Sequence, residues 1–221
     1  MVFSQETLIN SIKHIVAVAS GKGGVGKSTV AINLALALNE QGHQSALLDA
    51  DIYGPSQQRM LGVAEDIRPD SNEGKYLLPI IAHGIKAMSI GFLSEAKTPM
   101  VWRGPMAGSA LIQMLEQTLW GDIEYLIVDM PPGTGDIQLT LSQKVSLSGA
   151  VIVTTPQDIA LLDAQKGLEM FRKVDVPILG VVENMAVHIC AKCGYEEHIF
   201  GFRESHNLLL DNEIPILAKL P

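Results

Sequence analysis

Eight consecutive residues, Gly21-Lys22-Gly23-Gly24-Val25-Gly26-Lys27-Ser28, constrain this chain more than any other stretch. They follow a β-branched apolar run, Ile15–Ala19. They open a segment, Ser28–Glu40, that carries Ala31, Leu34, Ala35 and Leu38 at helical spacing. A strand that turns through glycines straight into a helix, with the pattern G-x-x-x-x-G-K-[ST], is a phosphate cradle. Glycines let backbone N–H groups converge on phosphate oxygens without Cβ obstruction, and the helix N-terminus adds its partial positive charge. Lys27 is expected to reach the β- and γ-phosphates of a nucleoside triphosphate, and the Ser28 hydroxyl to bind Mg²⁺. Gly21, Lys22, Gly23, Gly24, Val25, Gly26 and Thr29 complete the candidate nucleotide-binding set, with ATP the expected ligand.

The rest of the chain alternates in the same way. Further strands are predicted at Ser45–Asp51, Tyr125–Asp129, Ala150–Thr154 and Ile178–Val182. Helices are predicted near Met106–Leu119, Asp136–Lys144 and Ile159–Lys173. Apolar strands separated by helices imply a three-layer α/β fold, a mostly parallel sheet covered by helices on both faces. Ligands bind such sheets at the C-terminal edge of the strands. The loops after Ala19, Leu48, Val128 and Val182 begin there. Residues 62–99, punctuated by Gly62, Pro69, Gly74, Pro79, Gly84 and Gly91, are expected to form an insertion of hairpin-like strands and loops. At 221 residues the whole chain, 1–221, reads as a single domain, with 1–13 as an N-terminal tail.

Sixteen basic against 24 acidic residues give a net charge of −8, which argues against a broad nucleic-acid-binding face. No apolar run approaches the ~20 residues that span a bilayer, so no membrane partner is expected. Two cysteines close together make no disulfide framework, and the expected location is the cytoplasm, where thiols stay reduced.

Carboxylates end two of the strands. Asp49 and Asp51, at i and i+2, can hold Mg²⁺ waters and orient an attacking water. Asp129 closes Tyr-Leu-Ile-Val-Asp, a buried strand delivering an acid towards the metal. Pro131-Pro132-Gly133-Thr134-Gly135-Asp136 follows, a loop suited to sense the γ-phosphate and move when it leaves. Asp136 is expected to cap the next helix.

Cys190-Ala-Lys-Cys193 supplies half of a four-thiolate site. Three readings are open on residue types alone. Two copies of the chain share one iron–sulfur cluster across a two-fold axis. Alternatively His188 and His198 join the pair to bind zinc within one chain, or the pair is a redox dithiol.

The second lysine of the cradle, Lys22, is poorly placed for its own nucleotide. The G-K-G-G-x-G-K-[ST] pattern resembles the deviant Walker A family, in which the early lysine crosses a dimer interface. That resemblance implies that Lys22 neutralises charge in trans, that Asp51 positions the nucleophilic water, that Asp49 sits in the Mg²⁺ shell, and that Asn184 contacts the base. More of the chain is similar to the Mrp/ApbC group of iron–sulfur cluster carrier ATPases. The matching pieces are Gly21–Thr29, Leu48–Ser56, Trp102–Met106, Val128–Asp136, Thr155–Asp158, Glu183–Met185 and Cys190–Phe200. The resemblance implies a slow Mg²⁺-dependent ATPase and a homodimer. A [4Fe–4S] cluster would lie between the Cys190 and Cys193 pairs on loop 186–200, to be taken from scaffold donors and passed to apo acceptor proteins.

Two departures from the group stand out. About 14 residues precede the first strand, where many members carry a small extra domain. The chain ends at Ile216–Pro221, where members continue with base contacts and a last helix, so a shortened C-terminal end is expected. The rival readings are a positioning ATPase of the ParA/MinD type and a nucleotide switch with a structural zinc. The acidic balance and the lack of a basic amphipathic C-terminal helix speak against the first.

Overall fold

Apolar runs that read as unbroken in the sequence pair side by side in one sheet. The computed structural model describes residues 9, 11–72, 74–93, 104–201 and 214–221. In chain order the elements are β1 (His14–Ala19), α1 (Lys27–Glu40), β2 (Ser45–Asp49), α2 (Gln57–Met60), β3 (Ser71–Asn72), β4 (Tyr76–Leu77), β5 (Ile80–Ala82), β6 (Ile85–Ser89) and α3 (Ile90–Leu93). They continue with α4 (Gly104–Gln117), β7 (Tyr125–Asp129), α5 (Asp136–Lys144), β8 (Gly149–Thr154), α6 (Asp158–Lys173), β9 (Ile178–Glu183), β10 (His188–Ile189), β11 (Glu196–Glu197) and β12 (Ile216–Lys219).

Among the described residues the main sheet has eight strands in the order β12-β9-β8-β1-β7-β2-β6-β5. All pairings are parallel except β5 with β6. The central strands are buried on both faces. Ala17, Val18, Leu47, Leu48, Leu126, Ile127 and Ile152 are all closed to solvent. Two-sided burial is why they read as continuous Val/Ile/Leu/Ala rather than as alternation. Each such Val, Leu or Ile side chain taken from water contributes roughly 1.5–3 kcal/mol. The expected three-layer α/β fold is the observed one.

Two strands have no clear signature in the sequence. Residues 62–99 are not wholly an insertion hung off the sheet. Only β3 and β4 form a separate hairpin, whereas β6 is a full parallel strand of the main sheet beside β2. Lys86 hides it by interrupting the apolar pattern; its ammonium is bonded to the carbonyl of Trp120. At the other edge β12 pairs with β9. A third difference concerns Asp136. Gly135 holds the capping position of α5, and Asp136 is the first helical residue, where a negative charge favours the helix dipole.

The parallel arrangement brings the ends of β1, β2, β7, β8 and β9 to one edge. Register makes the match close: Asp49 lies opposite Asp129 on one side and Ser89 on the other. No helix among the described residues is long and apolar enough to cross a membrane.

Candidate functional site

The cradle runs from the end of β1 into α1. Gly24 and Gly26 take left-handed backbone conformations, with φ of 82° and 86°. Gly26 occupies the capping position of α1. No side chain caps that end, and no acid lies in its first turn. The first amides of the helix are therefore left for an anion. The loop is braced from both sides. A Cβ on Gly21 would stand 2.1 Å from the backbone carbonyl of Asp163 in α6. One on Gly26 would stand 2.1 Å from the amide nitrogen of Asn184. That nitrogen donates to the carbonyl of Val25 at 2.9 Å. Asn184 follows β9, and its observed bond fixes the cradle itself; the amide oxygen and second N–H are not used in that bond. A pocket of about 220 Å³ lies over the loop, lined by Gly23, Gly24, Lys27, Ser28, Asp51 and Pro132 among others.

Lys27 is buried and bonded to Asp129, which is closed to solvent. Its ammonium also lies 3.7 Å from Asp51 and 3.3 Å from the Ser28 hydroxyl. The other oxygen of Asp129 accepts from the side-chain amide of Gln57 at 2.7 Å. The lysine, the strand-end acid and the helix-start hydroxyl thus meet at one point.

The Asp49 carboxylate, expected in the Mg²⁺ shell, is bonded to the loop that follows it. Its carboxylate is buried and accepts from the backbone amides of Asp51 (3.1 Å), Ser56 (3.2 Å) and Gln57 (3.1 Å), and from the Ser89 hydroxyl (3.0 Å). These bonds fold residues 51–57 around it. Burial, then the charge of Asp129 opposite, pushes its carboxyl up to about 7 against the opposing hydrogen bonds. Asp51, carried on that folded loop, faces Lys27. Burial raises its carboxyl above the usual range, and Lys27 works against the rise.

The donor chemistry fits Mg²⁺. Ser28 Oγ and the carboxylates of Asp129 and Asp51 are hard oxygens clustered around one cation position, now served by Lys27. Pro131–Asp136 passes beside them. Gly133 has φ of 92° and donates to Ser20 at 2.9 Å, tying this loop to the end of β1. A second pocket of about 470 Å³ continues outward between Asp51, Tyr53, Pro132 and Gln138.

Lys22 does not line the phosphate pocket. Its ammonium donates to Gln157 Oε1, just before α6, at 3.3 Å. Cys190 and Cys193 lie away from the core, on the turn between β10 and β11. The turn closes through Cys190 N to Tyr195 O (2.9 Å) and Gly194 N to Cys190 O (2.8 Å), with Gly194 at φ 72°. Both thiols are free, and Cys193 is exposed. Amide hydrogens of Lys192 and Cys193 hold the Cys190 thiol below its ordinary value. No group of three or more His, Cys, Asp or Glu among the described residues stands together as a metal site. His198 Nδ1 is bonded to the carbonyl of Ala186 at 2.9 Å. Of the Trp102–Met106 piece, Trp102 and Arg103 fall outside the described residues. Sequence reasoning missed Gln57 entirely; a Gln-Gln pair after a loop carries no signal that one of the two is buried.

A family model described as ParA, NUBPL iron-transfer P-loop NTPase, matches residues 11–221. The iron–sulfur cluster carrier protein of Pseudomonas fragi is 62% identical over 211 residues, covering 96% of this chain and 74% of the relative. That of Escherichia coli K12 is 58% identical over 213 residues, covering 96% of this chain but 58% of the relative. Against some of its curated relatives, then, the chain spans little more than half their length. A solved nucleotide-binding protein from Archaeoglobus fulgidus, in complex with ADP, is 35% identical with a TM-score of 0.85, over 98% of this chain and 85% of that one.

Proposed function

This chain belongs to the family of ParA/NUBPL iron-transfer P-loop NTPases, and from that premise we propose that it is an ATP-hydrolysing carrier holding a [4Fe–4S] cluster between two copies of itself for delivery to apoproteins. The observation that carries the reading is the pairing of a complete phosphate cradle with two free thiols on a turn outside the core. Two thiolates per chain are half a [4Fe–4S] ligand set, and a two-fold axis supplies the other half.

The site chemistry follows from the chain's own groups. The amides of Gly23 to Thr29 receive the phosphates, and Lys27 exchanges Asp129 for β- and γ-phosphate oxygens. Mg²⁺, held by Ser28 and Asp129, would neutralise charge on those oxygens. Asp51, on the loop that Asp49 folds, orients the attacking water. Lys22, held by Gln157 in the single chain, reaches the partner's nucleotide in the dimer and acts there as an arginine finger does. Asn184 uses the rest of its amide for the adenine edge. The whole chain acts as one ATPase domain, and its free thiols suit a reducing cytoplasm.

Cluster delivery is the decisive property. After anaerobic loading, the protein should activate an apo-enzyme that needs a [4Fe–4S] cluster, and Cys193→Ser should not. Activation at the same rate by Cys193→Ser contradicts the reading.

A further inference from the structure

We infer that Gln57 is a positioning residue of the Mg²⁺ site, coupling the ion to the loop that carries Asp51. The inference deepens the proposed Mg²⁺-nucleotide chemistry and rests on it.

Three bonds place Gln57 where three elements of the site meet. The residue is 1% exposed. Nε2 donates both to Asp129 Oδ2 at 2.7 Å and to the carbonyl of Ser28 at 3.0 Å. Its backbone amide donates to Asp49 at 3.1 Å. One residue thus ties the strand-end acid of β7, the first turn of α1 and the folded 51–57 loop. Because both side-chain partners are acceptors, the nitrogen must face them, which fixes the orientation of the amide.

The remaining atom carries the inference. Gln57 Oε1 is buried and has no hydrogen-bond partner. The adjacent Ser56 Oγ is buried and unpartnered too. An orphaned buried acceptor is costly, because its lost hydration goes uncompensated. Two unpartnered polar atoms on one turn, whose own backbone amides hold Asp49 while Gln57 Nε2 holds Asp129, call for partners that arrive with a ligand. Magnesium keeps several of its waters when bound, and those waters are donors only. An amide that holds a metal carboxylate with its nitrogen and offers its oxygen to the ion's hydration shell is an outer-shell support. Loss of such supports lowers metal affinity by about 10–100-fold.

The test is calorimetry of ADP binding with Mg²⁺ and with EDTA, together with Mn²⁺ titration of the ADP complex followed by electron paramagnetic resonance. Gln57→Met keeps the length and removes both polar atoms. It is expected to bind ADP in EDTA within about twofold of wild type, while the Mg²⁺ enhancement and the Mn²⁺ affinity fall by about tenfold or more. Gln57→Asn keeps the amide but shortens its reach by one methylene, and is expected to bind ADP in EDTA as wild type does while losing most of the Mg²⁺ enhancement. If the methionine variant does not fold, the asparagine variant decides: lost enhancement supports the assignment and retained enhancement overturns it. An unchanged Mg²⁺ enhancement in a folded Gln57→Met also overturns it. Failure of the wild type to bind ADP at all would instead remove the nucleotide reading on which it rests.

Discussion

The buried ammonium of Lys27 is bonded to the carboxylate of Asp129, which stands directly across the sheet from Asp49. One lysine therefore balances a cluster of acids that would otherwise repel. Lys27→Ala removes the phosphate contact and should abolish nucleotide binding. It also leaves Asp129 uncompensated, and breaking a buried pair costs about 3–5 kcal/mol. Urea unfolding of the nucleotide-free protein should show a loss of that order. Adding Asp129→Asn to Lys27→Ala should restore part of it, because the orphaned charge is then gone.

The proposed dimer places Lys22 and Asp51 of one active site on different protomers. Asp51→Ala should retain ATP and lose hydrolysis by about 10²–10⁴-fold. Lys22→Ala should keep most binding and lose about 10³-fold in turnover. A mixture of the two variants should recover part of the wild-type rate, since a mixed dimer holds one site with Asp51 and an incoming Lys22. If the mixture stays as inactive as its components, Lys22 does not act in trans.

The raised carboxyl of Asp49 gives the nucleotide-free protein a pH dependence of definite sign. The folded value, about 7, lies above the ordinary 3.8. Folding therefore favours the protonated form. The stability this contributes is full below the unfolded value and is lost as pH rises through the folded one. The loss is on the order of 1.4 kcal/mol for each tenfold difference in proton affinity between the folded and unfolded chain. Denaturation midpoints should fall between about pH 5 and pH 8, and Asp49→Asn should flatten that slope. A wild-type midpoint that rises over the interval contradicts the assignment.

Two glycines of the cradle should respond differently to the same substitution. Gly21→Ala drives a Cβ into the backbone of Asp163, which cannot yield as a side chain would. A cost of about 1–3 kcal/mol and a weakened nucleotide affinity are expected. A Cβ on Gly23 meets nothing within 4 Å. Gly23→Ala should leave thermal stability of the nucleotide-free protein within about 0.5 kcal/mol.

What the sequence made legible follows from burial. β1, β7 and β8 announce themselves because both faces are covered, leaving Val, Ile, Leu and Ala with no polar interruption. The cradle is legible because phosphate binding dictates glycine and lysine at fixed offsets. β12 is an edge strand whose residues alternate between half-buried and exposed, and its four residues give too short a pattern to read. Gln57 and Gln58 are adjacent and identical. Only the helical turn buries the first and sends the second outward to Ala64, and no local rule separates them. Asp49 and Asp51 look equivalent on paper. The fold of the 51–57 loop turns one into a scaffold and leaves the other facing Lys27.

The most direct measurement is the metal content of the anaerobically reconstituted protein, set against its mass in solution. Four iron atoms per two-chain particle are expected, with broad absorption near about 400 nm, and none in Cys190→Ser or Cys193→Ser. One zinc per chain retained by a monomer, or iron that persists without either thiol, would contradict the shared cluster.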